Sequence, residues 1–220
     1  QLLSYAETKK WLERNPIEKY KCRRKEKDVA PLEFDDVMQI YEKRITLSRL
    51  EEVRDAFIFQ CFTGFAYQDL YELSQENIIK VGRKREMWLI KDRGKTGVSE
   101  ILPIISTIIT KYRSHPYCKE NNKLIPVNSN QRYNGYLKEV AEICGISRNL
   151  TTHLARHTFA DIMLNICNVP LEDVSKMLGH NSIKTTLRYC RVRRGRISKN
   201  MEIAKSVLFT KNGKFRKFAA

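Results

Sequence analysis

Apolar residues recur along this chain with two different periods, and the change between them divides it. From Glu33 onward, Phe34, Val37, Met38 and Tyr41 follow a period near 3.6 residues, and Leu50, Val53, Phe57 and Cys61 do so again. This spacing predicts two helices, the second stopping at Thr63-Gly64. The period then shortens. The stretches "NIIKV", "EMWLIK" and "SEILPI" (residues 77–81, 86–91 and 99–104) read as two or three short strands joined by the turn-rich "GRKR" and "DRGKTG", which gives a small antiparallel sheet. Beyond it the pattern is helical to the end, over about 104–113, 131–144, 152–167, 171–178, 182–190 and 197–208. The opening "AETKKWLERNP" also reads as helix. The expected fold class is α+β, a mainly helical domain with a small antiparallel sheet, without internal repeats.

Composition sharpens this outline. At 220 residues and 42% apolar content, the chain can bury one real core. Lys plus Arg number 41 against 25 Asp plus Glu, a formal net charge of +16, the balance expected of something that works on a polyanion, nucleic acid first. Residues 15–31, "NPIEKYKCRRKEKDVAP", are basic and bounded by prolines, a linker that is either a solvated loop or a DNA contact. The six cysteines form no C-x-x-C pair and several sit in apolar runs, so they read as reduced, buried thiols. The longest apolar run, "ILPIISTII", falls far short of the roughly 20 residues of a membrane span. The chain opens without Met and within a predicted helix, as an excerpt of a longer, cytoplasmic protein would.

The densest chemistry lies in "HLARHTFADIM", residues 153–163. Positions i, i+3 and i+4 share one helix face, so His153, Arg156 and His157 project together. A metal site, a solvated polar face and an anion clamp compete for this pattern. A zinc site of H-E-x-x-H type would need glutamate where Leu154 stands, and Arg156 would repel the cation. Downstream, "LEDVSKMLGHNSIKTTLRYC" reads as a short helix capped at Gly179, then His180 in a tight corner, then a second short helix N-capped by Asn181 or Ser182 and carrying Tyr189.

"HLARH" followed by "LGHNSIKTTLRY", with nine residues from His180 to Tyr189, resembles the C-terminal catalytic signature of the tyrosine recombinases, the phage-type integrase family, of the kind found in conjugative-transposon integrases. "RGKTGVSEILPI" is similar to that family's lysine-bearing hairpin, and "CFTGFAYQDLYEL" to the segment of its first arginine and following acid. The likeness runs from about Val29 to Phe209. It implies residues 1–28 as the end of a core-binding region and basic linker, 29–210 as the catalytic domain and 211–220 as a basic tail. It also implies Tyr189 as nucleophile, Arg156 as second phosphate-binding arginine, His153 and His180 as the two histidines, Lys95 as general acid and Asp69 as a supporting acid. His157 is left either catalytic or structural. No metal or cofactor is implied. The implied partners are double-stranded DNA, further copies of the chain in a tetrameric synapse, and accessory DNA-bending proteins, in a bacterial cytoplasm and without a membrane.

The residue types suit the chemistry. Attack on a phosphodiester concentrates negative charge on nonbridging oxygens, which preorganised cations and N–H donors must meet, and arginine offers a planar fork matched to phosphate. A tyrosine with a reference pKa of about 10 needs a base to help it attack, a role that falls to His153, while Lys95 can protonate the departing 5′ oxygen. The likeness breaks at one place: Ala66 stands where the family carries its first catalytic arginine. Arg93, two residues before Lys95 in an extended hairpin and so on the same side, is the first-choice substitute, and Arg54 the second. Two alternatives to a recombinase remain open at this stage: a type IB topoisomerase-like enzyme and a catalytically degenerate DNA-binding relative. The apolar stripe Ile197, Met201, Ala204 and Leu208 reads as packed either on a neighbouring protomer or on its own core.

Overall fold

The computed structural model describes residues 2–17, 29–83, 85–92, 99–103, 106–189, 191–212 and 214–216. In chain order these form α1 (Leu2–Thr8), α2 (Phe34–Glu42), α3 (Ser48–Thr63), α4 (Tyr67–Glu72), β1 (Ile78–Val81), β2 (Glu86–Asp92), β3 (Ser99–Pro103), α5 (Ser106–Tyr112), α6 (Pro116–Glu120), α7 (Asn130–Ile143), α8 (Thr152–Asp161), α9 (Leu171–Met177), α10 (Ile183–Leu187) and α11 (Arg194–Leu208). The strands form an antiparallel meander in the order β1-β2-β3, with Ile79 opposite Trp88 and Leu89 opposite Leu102. The α+β expectation and the three strands are borne out to within a residue or two at each end.

Helix α3 is the axis of the core. Leu50, Val53, Ala56, Phe57, Ile58, Phe59 and Cys61 are all buried, because α2, α7 and α8 pack around it. A helix covered on several sides needs no single apolar stripe, and the repeat read from Leu50 to Cys61 is only part of its buried surface. Its polar Gln60 is fully buried yet satisfied: Nε2 donates to the Phe65 carbonyl at 2.9 Å, and Oε1 accepts from the Tyr133 hydroxyl at 2.9 Å. This ties the corner after α3 to α7. Helix α8 starts on Thr151, whose hydroxyl accepts from the Leu154 N–H at 3.1 Å.

Several helix readings are corrected. The predicted 152–167 helix is α-helical only to Asp161 and then widens into a π turn over Ile162–Ile166, marked by a 2.9 Å bond from the Cys167 N–H to the Ile162 carbonyl. The predicted 182–190 helix ends at Leu187, so Tyr189 lies in the turn beyond it. The opening helix stops at Thr8, and α4 and α6 are short helices that periodicity over so few residues does not resolve. Cys61, Cys118 and Cys144 are buried and free as expected, but Cys167 is exposed. Among the described residues, no helix is long and apolar enough to cross a membrane.

The α3 corner depends on Gly64. It adopts φ +74° and closes the helix with a 2.8 Å bond from its N–H to the Gln60 carbonyl. A Cβ here would meet Phe159 Cδ1 at 2.5 Å and Leu178 Cδ2 at 2.8 Å. Gly64→Ala combines a left-handed conformation with overpacking, at a combined cost of about 3 kcal/mol. Thermal denaturation is expected to show a Tm lower by roughly 6–12 °C; a shift under about 2 °C would mean the corner relaxes freely.

Candidate active site

Three corners converge on one face of α8. The first is the α3 corner, where the Gly64 carbonyl accepts a hydrogen bond from Arg156 Nη1. The second ends α9, where Gly179 takes φ +58°. There the Gly179 N–H bonds the Lys176 carbonyl at 2.9 Å and the His180 N–H bonds the Ser175 carbonyl at 3.0 Å, the paired bonds of a Schellman cap. That turn aims the Leu178 carbonyl at Arg156 Nη2. Arg156 is 3% exposed, and its guanidinium is thus oriented by two main-chain carbonyls from separate corners.

His180 occupies the tight corner expected of it. Its Nε2 lies 3.4 Å from Arg156 Nη2 and its Nδ1 2.8 Å from Thr186 Oγ1. Arginine has no acceptor, so Nε2 accepts and the ring hydrogen sits on Nδ1, donated to the Thr186 hydroxyl. This tautomer follows from the network. Thr186 is fully buried in α10, which makes it the fixed point for His180; sequence alone did not single it out. The Ser182 hydroxyl caps α10 by accepting from the Lys184 N–H at 3.3 Å.

The third corner carries Tyr189, whose N–H bonds the Thr186 carbonyl at 2.9 Å. Its ring lies 4.3 Å from the His157 ring, 5.3 Å from His180 and 5.9 Å from His153, between centroids. His153 and His157 meet Nε2 to Nε2 at 3.1 Å. One of the two nitrogens must donate and the other accept, so at most one of these rings is cationic while the contact holds. The surroundings favour the neutral form of His153. Partial removal from water and then the nearby charge of Arg156 hold its pKa below the ordinary 6.5.

The structure therefore brings Arg156, His153, His157, His180 and Tyr189 together. Asp69 is buried in the first turn of α4, just after the Gly64 corner. Ala66 immediately precedes that helix, two residues past the carbonyl that holds Arg156. Lys95 and Arg93 lie outside the described residues. Arg54 is committed elsewhere: Nε donates to Asp55 at 2.7 Å, and Nη1 donates to the Tyr41 and Lys43 carbonyls at 3.2 and 2.6 Å. It supports the α2–α3 junction and is no substitute for an arginine at position 66.

Known proteins resemble this chain in sequence and in fold. Residues 30–196 match the phage integrase family. The chain is 27% identical over 213 residues to tyrosine recombinase XerD of Staphylococcus saprophyticus, covering 89% of this chain and 69% of that protein. Across the first curated relatives it spans 60–69% of their length. A lambda integrase dimer bound to a COC′ core site superposes with a TM-score of 0.66 at 20% identity, over 88% of this chain and 70% of the other. The Tn1549 transposon integrase in complex with circular intermediate DNA gives 0.59 at 15% identity, over 90% and 74%. At such identities these two likenesses concern the fold.

Proposed function

Because the chain belongs to the phage integrase family, the tyrosine-type site-specific recombinases, we propose that it cleaves and rejoins duplex DNA through Tyr189 in the integration or excision of a mobile element. The observation that carries this reading is the packing of the Tyr189 ring among three histidines, one of which contacts Arg156. The phenolic oxygen attacks the scissile phosphorus, forming a 3′-phosphotyrosyl bond as the bond to the 5′ oxygen breaks. The phenol proton passes to His153, and the departing oxygen takes a proton from Lys95. Arg156 neutralises the charge that builds on the phosphate, His180 holds the edge of its guanidinium, and Asp69 supports the corner beside them. The phosphotyrosyl link conserves the bond energy, so another 5′ hydroxyl can reverse the step on a new partner. A type IB topoisomerase-like role is not favoured, since the family and its relatives are recombinases.

Duplex DNA as substrate fits the +16 net charge. Assembly with further copies fits α11, none of whose residues is buried: Ile197, Met201 and Leu208 are 53%, 52% and 42% exposed. The exposure of these side chains favours the neighbouring-protomer reading for that stripe over packing on the chain's own core.

The test is covalent capture. The protein is incubated with a pool of nicked duplexes of randomised sequence, in which the cleaved strand loses its short 5′-hydroxyl end and cannot reseal. A protein–DNA adduct stable to denaturant is expected, and sequencing it gives the target; a protein that binds the pool without any adduct would be a passive DNA binder.

The captured duplex also tests His153. Since its pKa is held below 6.5, the neutral base persists into mild acid, and the cleavage rate should fall only as pH drops below that value. His153→Gln is expected to lower the plateau by about 10²–10⁴ and to remove the acid limb. An unchanged limb in His153→Gln would assign it to another group.

A further inference from the structure

Beyond the catalytic cluster, a connected polar network lies just after the nucleophile. Asp161, 2% exposed at the end of α8, receives Arg193 in a fork, Nε to Oδ1 at 3.2 Å and Nη2 to Oδ2 at 2.7 Å. Asn165, carried by the widened turn Ile162–Ile166, donates through Nδ2 to Asp161 Oδ1 at 2.8 Å and to the Arg191 carbonyl at 2.7 Å. Its Oδ1 accepts from the Arg193 N–H at 3.3 Å. Arg193 Nη1 also reaches Glu33 at the start of α2.

We propose that Asp161, Asn165 and Arg193 form a latch that positions Tyr189 over the active site of its own chain, acting on the cleavage step of the recombinase reading above. The carbonyl that Asn165 holds belongs to Arg191, two residues past Tyr189. Two residues of chain reach at most about 7 Å, so the latch limits how far the Tyr189 backbone can drift. On the other side Tyr189 is fixed through Thr186, which also holds His180. Along the tail, α11 buries none of its residues, and exposed side chains join it to the loop after the widened turn, Asn200 with Asn168 at 3.3 Å and Arg196 with Asn168 at 3.3 Å. The latch is built on α8, the helix that also carries His153, Arg156 and His157. Nucleophile and phosphate-binding groups thereby share one rigid frame, and misplacement of a reacting group by about 1 Å can cost about 10²-fold in rate.

Arg193→Gln and Asn165→Leu test this in single-turnover cleavage of the captured nicked duplex by the full chain. At saturating DNA the rate constant is expected to fall about 10- to 100-fold. DNA affinity should stay within about threefold, and the fraction of protein that eventually reacts should match the unsubstituted chain. Arg193→Lys, which keeps one contact to Asp161, should fall between. A merely structural role would lower the reacting fraction and leave the rate constant of the folded molecules alone, and that result would overturn the latch. So would weaker binding with an unchanged saturated rate, the mark of a simple phosphate contact by Arg193. If the unsubstituted chain yields no adduct, the recombinase reading falls and the latch with it, whereas an adduct formed at equal rates by all four proteins removes the latch alone.

Discussion

Tyr189→Phe is expected to abolish the covalent DNA adduct while leaving fold and DNA binding intact. The substitution removes one oxygen from a half-buried ring packed against His157 and His180. The apolar contacts persist, and stability should stay within about 1 kcal/mol. The nucleophile itself disappears, and no neighbouring group replaces a covalent link to DNA, so cleavage should drop by at least about 10⁴-fold. Gel mobility after denaturation reads the adduct, and a shift of native duplex reads binding. An adduct of undiminished yield with the Phe variant would remove Tyr189 from its role.

Arg156→Ala should combine a large loss of activity with a large loss of stability. The guanidinium is buried and donates to the Gly64 and Leu178 carbonyls. Truncation withdraws these donors from two interior acceptors at about 1–3 kcal/mol each, for a total of roughly 2–6 kcal/mol and a Tm lower by about 4–24 °C. Cleavage by the folded fraction should fall at least about 10²- to 10³-fold, the usual effect of losing one preorganised donor. Arg156→Lys separates the two effects. It restores a charge without the planar fork, so it should recover part of the stability but little of the rate. Full cleavage by either variant below its melting temperature would mean that Arg156 only braces the corners.

In the proposed mechanism Arg156 carries unusual weight, because position 66 is alanine. Arg54 cannot compensate, with its fork held by Asp55 and two carbonyls. Arg93 keeps its place as the proposed replacement because of its two-residue offset from Lys95. Two consequences of the fold partly offset the missing cation. Arg156 arrives with its orientation already fixed by main-chain acceptors, and His180 is held by Thr186 in the tautomer that faces it. Preorganisation of this kind lowers the reorganisation that the transition state would otherwise require.

What the sequence determined by itself is what short-range geometry dictates. Helix spacing alone put His153, Arg156 and His157 on one face, since neighbours three and four apart on a helix meet whatever surrounds them. Gly179 and the pair Asn181 and Ser182 marked the corner around His180 because caps are local chemistry, with the structure giving the cap to Ser182, and the alternation of apolar residues located the strands of the meander. The tertiary structure decided what depends on residues far apart in the chain. Arg156 finds its carbonyls 92 and 22 residues away, and Arg193 reaches Asp161 across 32. No local period encodes those distances. The end of α10 before Tyr189 and the widening of α8 into a π turn were equally invisible, since apolar spacing does not register a change of one residue per turn or the last residues of a short helix. Even the helical pattern of α3 understated its burial, because a helix packed on several sides takes its character from its neighbours.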